Sequence, residues 1–96
     1  MNIVVTKPAL QYYKREMDVK NGDFVRFFVR LGGCSTVQSG FSLGVAVREP
    51  KEIGVSETID DITFYVEESD LWFFDGHDLK VKYSRNKDEI EFEYQN

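Results

Sequence analysis

Cysteine occurs once in these 96 residues, at Cys34, and histidine once, at His77. One cysteine cannot close a disulfide within the chain, so no covalent staple is available to the fold. The same scarcity excludes a Cys-x-x-Cys pair and a His-Glu-x-x-His metal helix, and no glycine-rich phosphate loop is present. No apolar run approaches the roughly 20 residues of a membrane span. Positive charge is short as well: 12 Lys and Arg stand against 17 Asp and Glu, for a net charge of −5 and a pI of about 4.8. Gripping phosphate needs clustered cations, so nucleic acid is not an expected partner, and neither is a membrane. No secretion signal precedes Ile3, and with one thiol a reducing cytoplasm is the expected location.

What the chain does have is apolar bulk. It is 42% hydrophobic and 15% aromatic, which supports a packed domain over a disordered one. A chain of this size can bury roughly 60 to 70% of its unfolded surface, so residues 1–96 read as one domain with a modest core. Charge is uneven along it. The first half is mildly basic around Arg26, Arg30 and Arg48, and the second half is strongly acidic. The acidic groups at 60–61 and 67–69 read as solvated surface.

The order of elements follows from periodicity. "NIVV" starts a strand, and Thr6 caps a helix over 7–17 with Pro8 in its first turn. Val5 and Leu10 occupy the two positions of a hydrophobic staple, and Leu10, Tyr13 and Met17 share its buried face. "DFVRFFVRL" alternates with period two, placing Val25, Phe27, Val29 and Leu31 on one face and Phe24, Arg26, Phe28 and Arg30 on the other. In "FSLGVAV" the larger residues again share one face, while Ser42, Gly44 and Ala46 leave room for another element on the other. "REPKEIGVSETIDD" reads as a turn-rich linker. "ITFYVEE" is a strand, and "SDLWFFDG" a short helix capped by Ser69. "HDLKVKYS" and "DEIEFEYQ" form a hairpin with Leu79, Val81 and Tyr83 opposite Ile90, Phe92 and Tyr94, and lysines facing glutamates on its outer side. The expected fold is therefore α+β: a small, twisted, mixed β-structure of six or seven strands with one N-terminal helix and one short helix.

The chemistry centres on Cys34. Gly32 and Gly33 allow backbone conformations closed to other residues, and loop amides beside a cysteine lower its pKa. Cys34 is therefore expected to be reachable by solvent and more acidic than an ordinary thiol. Ser35, Thr36, Gln38 and Ser39 add polar groups but no carboxylate or histidine, so the loop presents sulfur without a catalytic apparatus. His77 stands between Asp75 and Asp78, a loose metal-site signature whose plainer reading is a turn facing water. Were Cys34 and His77 to meet, the pair would suit thiol chemistry.

"GGCS" followed by "GFSLG" resembles the A-type iron–sulfur carriers, the HesB/IscA-like family. The likeness extends through "VVTKPALQYYKREM", "DDITFYVEESDLWFFDG" and "HDLKVKYS", and covers about residues 2–84. It implies the HesB-like fold, an iron–sulfur cluster or iron as cargo, homodimers, and client or assembly proteins of iron–sulfur biogenesis as partners. It places Cys34 at the family's first ligand cysteine, Gly32 and Gly33 at its glycine pair and Asp75-Gly76 at its turn. Apart from the resemblance, Gly32, Gly33, Ser35 and Gly40 read as the loop that supports the thiol, and His77 as a weaker ligand candidate. Two departures stand out. Thr36-Val37-Gln38-Ser39 separate "GGCS" from "GFS", and the family's Cys-Gly-Cys is absent. One chain thus supplies one thiolate where a cluster commonly takes four, so any cargo should be held weakly, bridged between subunits or completed by an outside thiol. The resulting reading is a non-enzymatic accessory or carrier of iron–sulfur biogenesis. The alternatives are an interaction protein of the same fold that binds no cluster, or a Cys34–His77 thiol enzyme.

Overall fold

The computed structural model describes residues 1–33, 35 and 37–96. Seven strands and two helices follow in the order β1 (Ile3–Val5), α1 (Lys7–Glu16), β2 (Phe24–Leu31), β3 (Phe41–Val47), β4 (Ile53–Ile59), β5 (Ile62–Glu67), a 3-10 helix (Glu68–Phe74), β6 (Asp78–Ser84) and β7 (Glu89–Gln95). The strands form two mixed sheets, β1-β6-β7 and β3-β2-β5-β4. In the first, β1 runs parallel to β6 and β7 antiparallel to it. In the second, only the β2/β5 pair is parallel. Phe27, Phe64 and Val25 from the larger sheet and Leu79 and Val81 from the smaller are fully buried, so the core lies between the inner faces.

Helix α1 begins where its sequence says it should. The Thr6 hydroxyl accepts from Ala9 N at 3.3 Å, satisfying one of the helix's orphan amides. Leu10 and Tyr13 are buried, and the Tyr13 ring packs against Phe27 and Phe64. The β6/β7 register pairs Leu79 with Tyr94, Val81 with Phe92 and Tyr83 with Ile90, and Lys82 bridges to Glu93 at 2.9 Å. The guanidinium of Arg26 lies over the Phe28 ring on the outer face of β2. Among the described residues, no helix is long and apolar enough to cross a membrane.

Five local expectations are corrected. Glu67, read with the acidic group at 67–69 as solvated surface, is buried, and its carboxylate accepts from Lys51 N and Glu52 N. The segment read as a linker contains β4, an edge strand whose Val55, Glu57 and Ile59 are partly covered while Ser56 and Thr58 face out. Glu67, not Ser69, precedes the 3-10 helix, and no side-chain bond caps it. Leu31 is 82% exposed because β2 runs beyond the covered part of its sheet. The space over Gly44 is taken by the Phe28 ring of the paired strand and not by another element: a Cβ there would lie 2.5 Å from Phe28 Cζ.

Candidate functional site

The loop between β2 and β3 is a closed hairpin tip. Gly32 N donates to Gly40 O at 2.9 Å, carrying the ladder one pair beyond the strands. Gly32, Gly33 and Gly40 have φ of +99°, +73° and +83°, a region in which side chains are strained. Gly33 has a second constraint, since a Cβ would stand 3.0 Å from Ser42 Oγ. Within the loop, Ser35 Oγ donates to Gln38 O at 2.8 Å and accepts from Gln38 N at 3.0 Å, folding the segment back on itself. Cys34 and Thr36 lie outside the described residues. The expectation about the thiol's exposure and acidity, and any Cys34–His77 meeting, lie there too.

His77 is engaged elsewhere. Its Nδ1–H donates to Phe74 O at 2.9 Å and its backbone N–H to the same oxygen at 2.8 Å, so the ring closes the end of the 3-10 helix. Asp78 Oδ1 accepts from Asn2 N at 2.8 Å, and Asp75 is an exposed left-handed residue. The three groups of this loose metal signature therefore serve separate tasks. Among the described residues, no group of three or more His, Cys, Asp or Glu side chains is placed to hold a metal ion.

Two further features of this end of the molecule were not apparent as site elements from sequence. The first is an apolar patch beside the hairpin tip. Leu31 pairs across the ladder with Phe41, whose ring meets Trp72 edge-on at 5.3 Å, and Trp72 is 51% exposed. The second is a cleft between β3 and β7. It consists of two concavities of about 440 and 510 Å³ that share Leu43 and Phe92. One end reaches Ser35 of the tip, and the other reaches α1, where Tyr13 Oη is buried without a hydrogen-bond partner. Burial raises the Tyr13 phenol well above its ordinary pKa and pushes Tyr94, also on the cleft, up to about 12. The run Gly40-Phe41-Ser42-Leu43-Gly44 spells the letters of a hydrolase nucleophile elbow. Ser42, however, sits within β3 opposite Arg30, with a strand and not a helix following it, so that reading fails.

Comparison with known proteins adds the lineage. The chain is 60% identical over 99% of its length, and 100% of the relative's, to a protein of Bacillus subtilis named pyruvate dehydrogenase inhibitor. It is 36% identical to uncharacterised proteins of Staphylococcus haemolyticus and Staphylococcus aureus, with 96% of this chain covered in each case and 96% and 97% of the relatives. The profile of the iron–sulphur cluster biosynthesis family matches residues 1–96. With the glycine-flanked hairpin tip and the α+β arrangement, these matches establish that the chain belongs to the iron–sulphur cluster biosynthesis family.

Proposed function

We propose that the chain is a non-catalytic member of this family that binds pyruvate dehydrogenase and restrains it. The observation that carries the reading is the 60% identity, across the full length of both chains, to a protein named as an inhibitor of that enzyme. The geometry agrees with work by contact. The exposed Leu31–Phe41–Trp72 patch is of the kind that anchors protein interfaces, where tryptophan is over-represented among the energetically dominant residues. The test is the rate of purified pyruvate dehydrogenase, from the organism that carries this chain, against added wild-type protein and Trp72→Ala. The rate should fall along a saturable curve, and Trp72→Ala should need about tenfold more protein for the same effect, the size expected when a central anchor is truncated. No change in rate at saturating wild-type protein would overturn the reading.

A second reading concerns Cys34 and rests on the family match together with the three left-handed glycines of the tip. In it Cys34 is the thiolate that accepts sulfur or holds an iron–sulfur cargo, supported by Gly32, Gly33, Ser35 and Gly40 and completed by a second subunit or an outside thiol. A homodimer and an assembly or client protein belong to this reading. Anaerobic incubation with iron, sulfide and a small thiol should leave more iron on the wild type than on Cys34→Ser. Equal retention would remove it.

A further inference from the structure

The walls of the β3/β7 cleft are strand edges, and hydrogen-bond parity shows which backbone groups they present. Successive residues of a strand turn their N–H and C=O to opposite sides. Arg48 N donates to Phe24 O and Gly32 N to Gly40 O, and the β2/β3 register between them is unbroken. Ser42, Gly44 and Ala46 therefore bond β2, while Leu43 and Val45 turn their N–H and C=O to the free edge. On the other wall, Leu79 N donates to Asn2 O and Val81 O accepts from Thr6 N, so these two residues face β1. Lys80 and Lys82 then face Glu93 and Glu91 of β7, which leaves the backbone groups of Ile90, Phe92 and Tyr94 unpaired. All five of these residues line the cleft.

The β3 edge is unguarded. From Phe41 to Val47, β3 has neither charge nor proline, the usual guards of a free edge. At the α1 end Tyr13 lines the wider concavity, while its hydroxyl is closed off from solvent and has no partner among the described residues. Unpaired backbone donors and acceptors in a row complement another backbone in the same conformation. Because β7 stands as the second wall, the edge of a whole folded sheet cannot approach β3 here. A single strand, spaced about 4.8 Å from its neighbour, adds to an edge without bringing a second sheet with it.

We infer that the cleft takes one extended segment of a partner protein, added as a strand to the free edge of β3. The segment has apolar side chains at alternate positions over Leu43, Val45 and Phe92. This inference deepens the binding-protein reading above and rests on it for the partner's identity. Hydrogen-bonded strand addition supplies affinity, and the side-chain pockets supply selectivity.

The test uses amide-resolved NMR of the wild-type chain with two probes. The first is a set of twelve-residue synthetic peptides tiling the pyruvate dehydrogenase subunits, and the second a display library of random twelve-residue peptides. A bound peptide should slow exchange of the Leu43 and Val45 amides. Affinity should fall at least tenfold in Val45→Pro, which removes an N–H not used by β2. If the chain inhibits the enzyme but no tiled or library peptide protects those amides, strand addition is overturned and inhibition stands. If the chain does not inhibit but library peptides protect them, the slot stands and the pyruvate dehydrogenase reading falls. If neither probe protects them and no inhibition is seen, both fall. The wild-type protection readout holds even if Val45→Pro fails to fold.

Discussion

The two sheets meet along two seams, and the seams are finished differently. At the β1/β4 seam the free amide of Val5 is taken by Glu57 Oε2 at 3.1 Å, so a side chain from one edge strand satisfies the backbone of the other. The same device recurs nearby. Asp70 of the 3-10 helix accepts from Val29 N where the β2/β5 pairing has ended, and pairs with Arg26 at 3.2 Å. The buried Glu67 accepts from Lys51 N and Glu52 N, fixing the turn into β4. At the β3/β7 seam no described carboxylate bridges the two edges. Glu93 pairs with Lys82 and Glu91 with Lys87 instead. A backbone edge closed by a carboxylate stabilises the fold, whereas one left open stays available to another chain.

Mutations should separate the seams by sign and size. The largest effect is expected at Asp70→Ala, which leaves Arg26 without its counter-ion and Val29 N without an acceptor. Chemical denaturation should show a loss of about 3 kcal/mol, the range for breaking a partly buried pair by removing one partner. Glu57→Ala should cost about 2 kcal/mol, because an amide bonded to a carboxylate is left unmet. At the open seam the sign reverses. Tyr13→Phe removes a buried hydroxyl with no partner and should raise stability by about 1 kcal/mol.

Alkaline pH bears on the same open seam. The Tyr94 pKa rises from 10.0 to about 12 through burial, and that of Tyr13 also rises, because the folded state disfavours the phenolate. A group whose pKa is raised on folding contributes stability that is present below its unfolded value and lost as pH rises through the folded one. Stability should therefore decline between pH 10 and about 12. In the folded chain these two phenols should ionise late in an ultraviolet titration, and Tyr94→Phe should flatten part of the decline.

The closed seam was poorly legible in the sequence for a physical reason. Strand β4 has period-two alternation at Val55, Glu57 and Ile59, but its middle member is a carboxylate. The residue that satisfies the neighbouring backbone is thus the one that breaks the apolar pattern, and Pro50 and Gly54 add the appearance of a linker. Thr6, the α1 stripe and the β6/β7 register were readable because each depends on residues close in sequence or on an unbroken alternation. The open seam depends on strands at 41–47 and 89–95 that become neighbours only through the topology. The patch at Trp72 was hidden differently. The run "LWFF" cannot all face water, but its pattern does not say which member stays outside: Phe73 and Phe74 turn inward while Trp72 covers Phe41 from outside. Within the candidate site, the glycines at 32, 33 and 40 were legible because each has a positive φ. His77 was legible as a polar turn residue but not as the group that closes the 3-10 helix.

The proposed inhibition runs through protein contact, separately from any chemistry at Cys34. Its most direct test is to titrate pyruvate dehydrogenase with wild type and Cys34→Ser, both stripped of metal by a chelator and kept without oxygen. The two inhibition curves should superimpose. Inhibition that appears only after loading with iron and sulfide, or that disappears in Cys34→Ser, would contradict inhibition by contact.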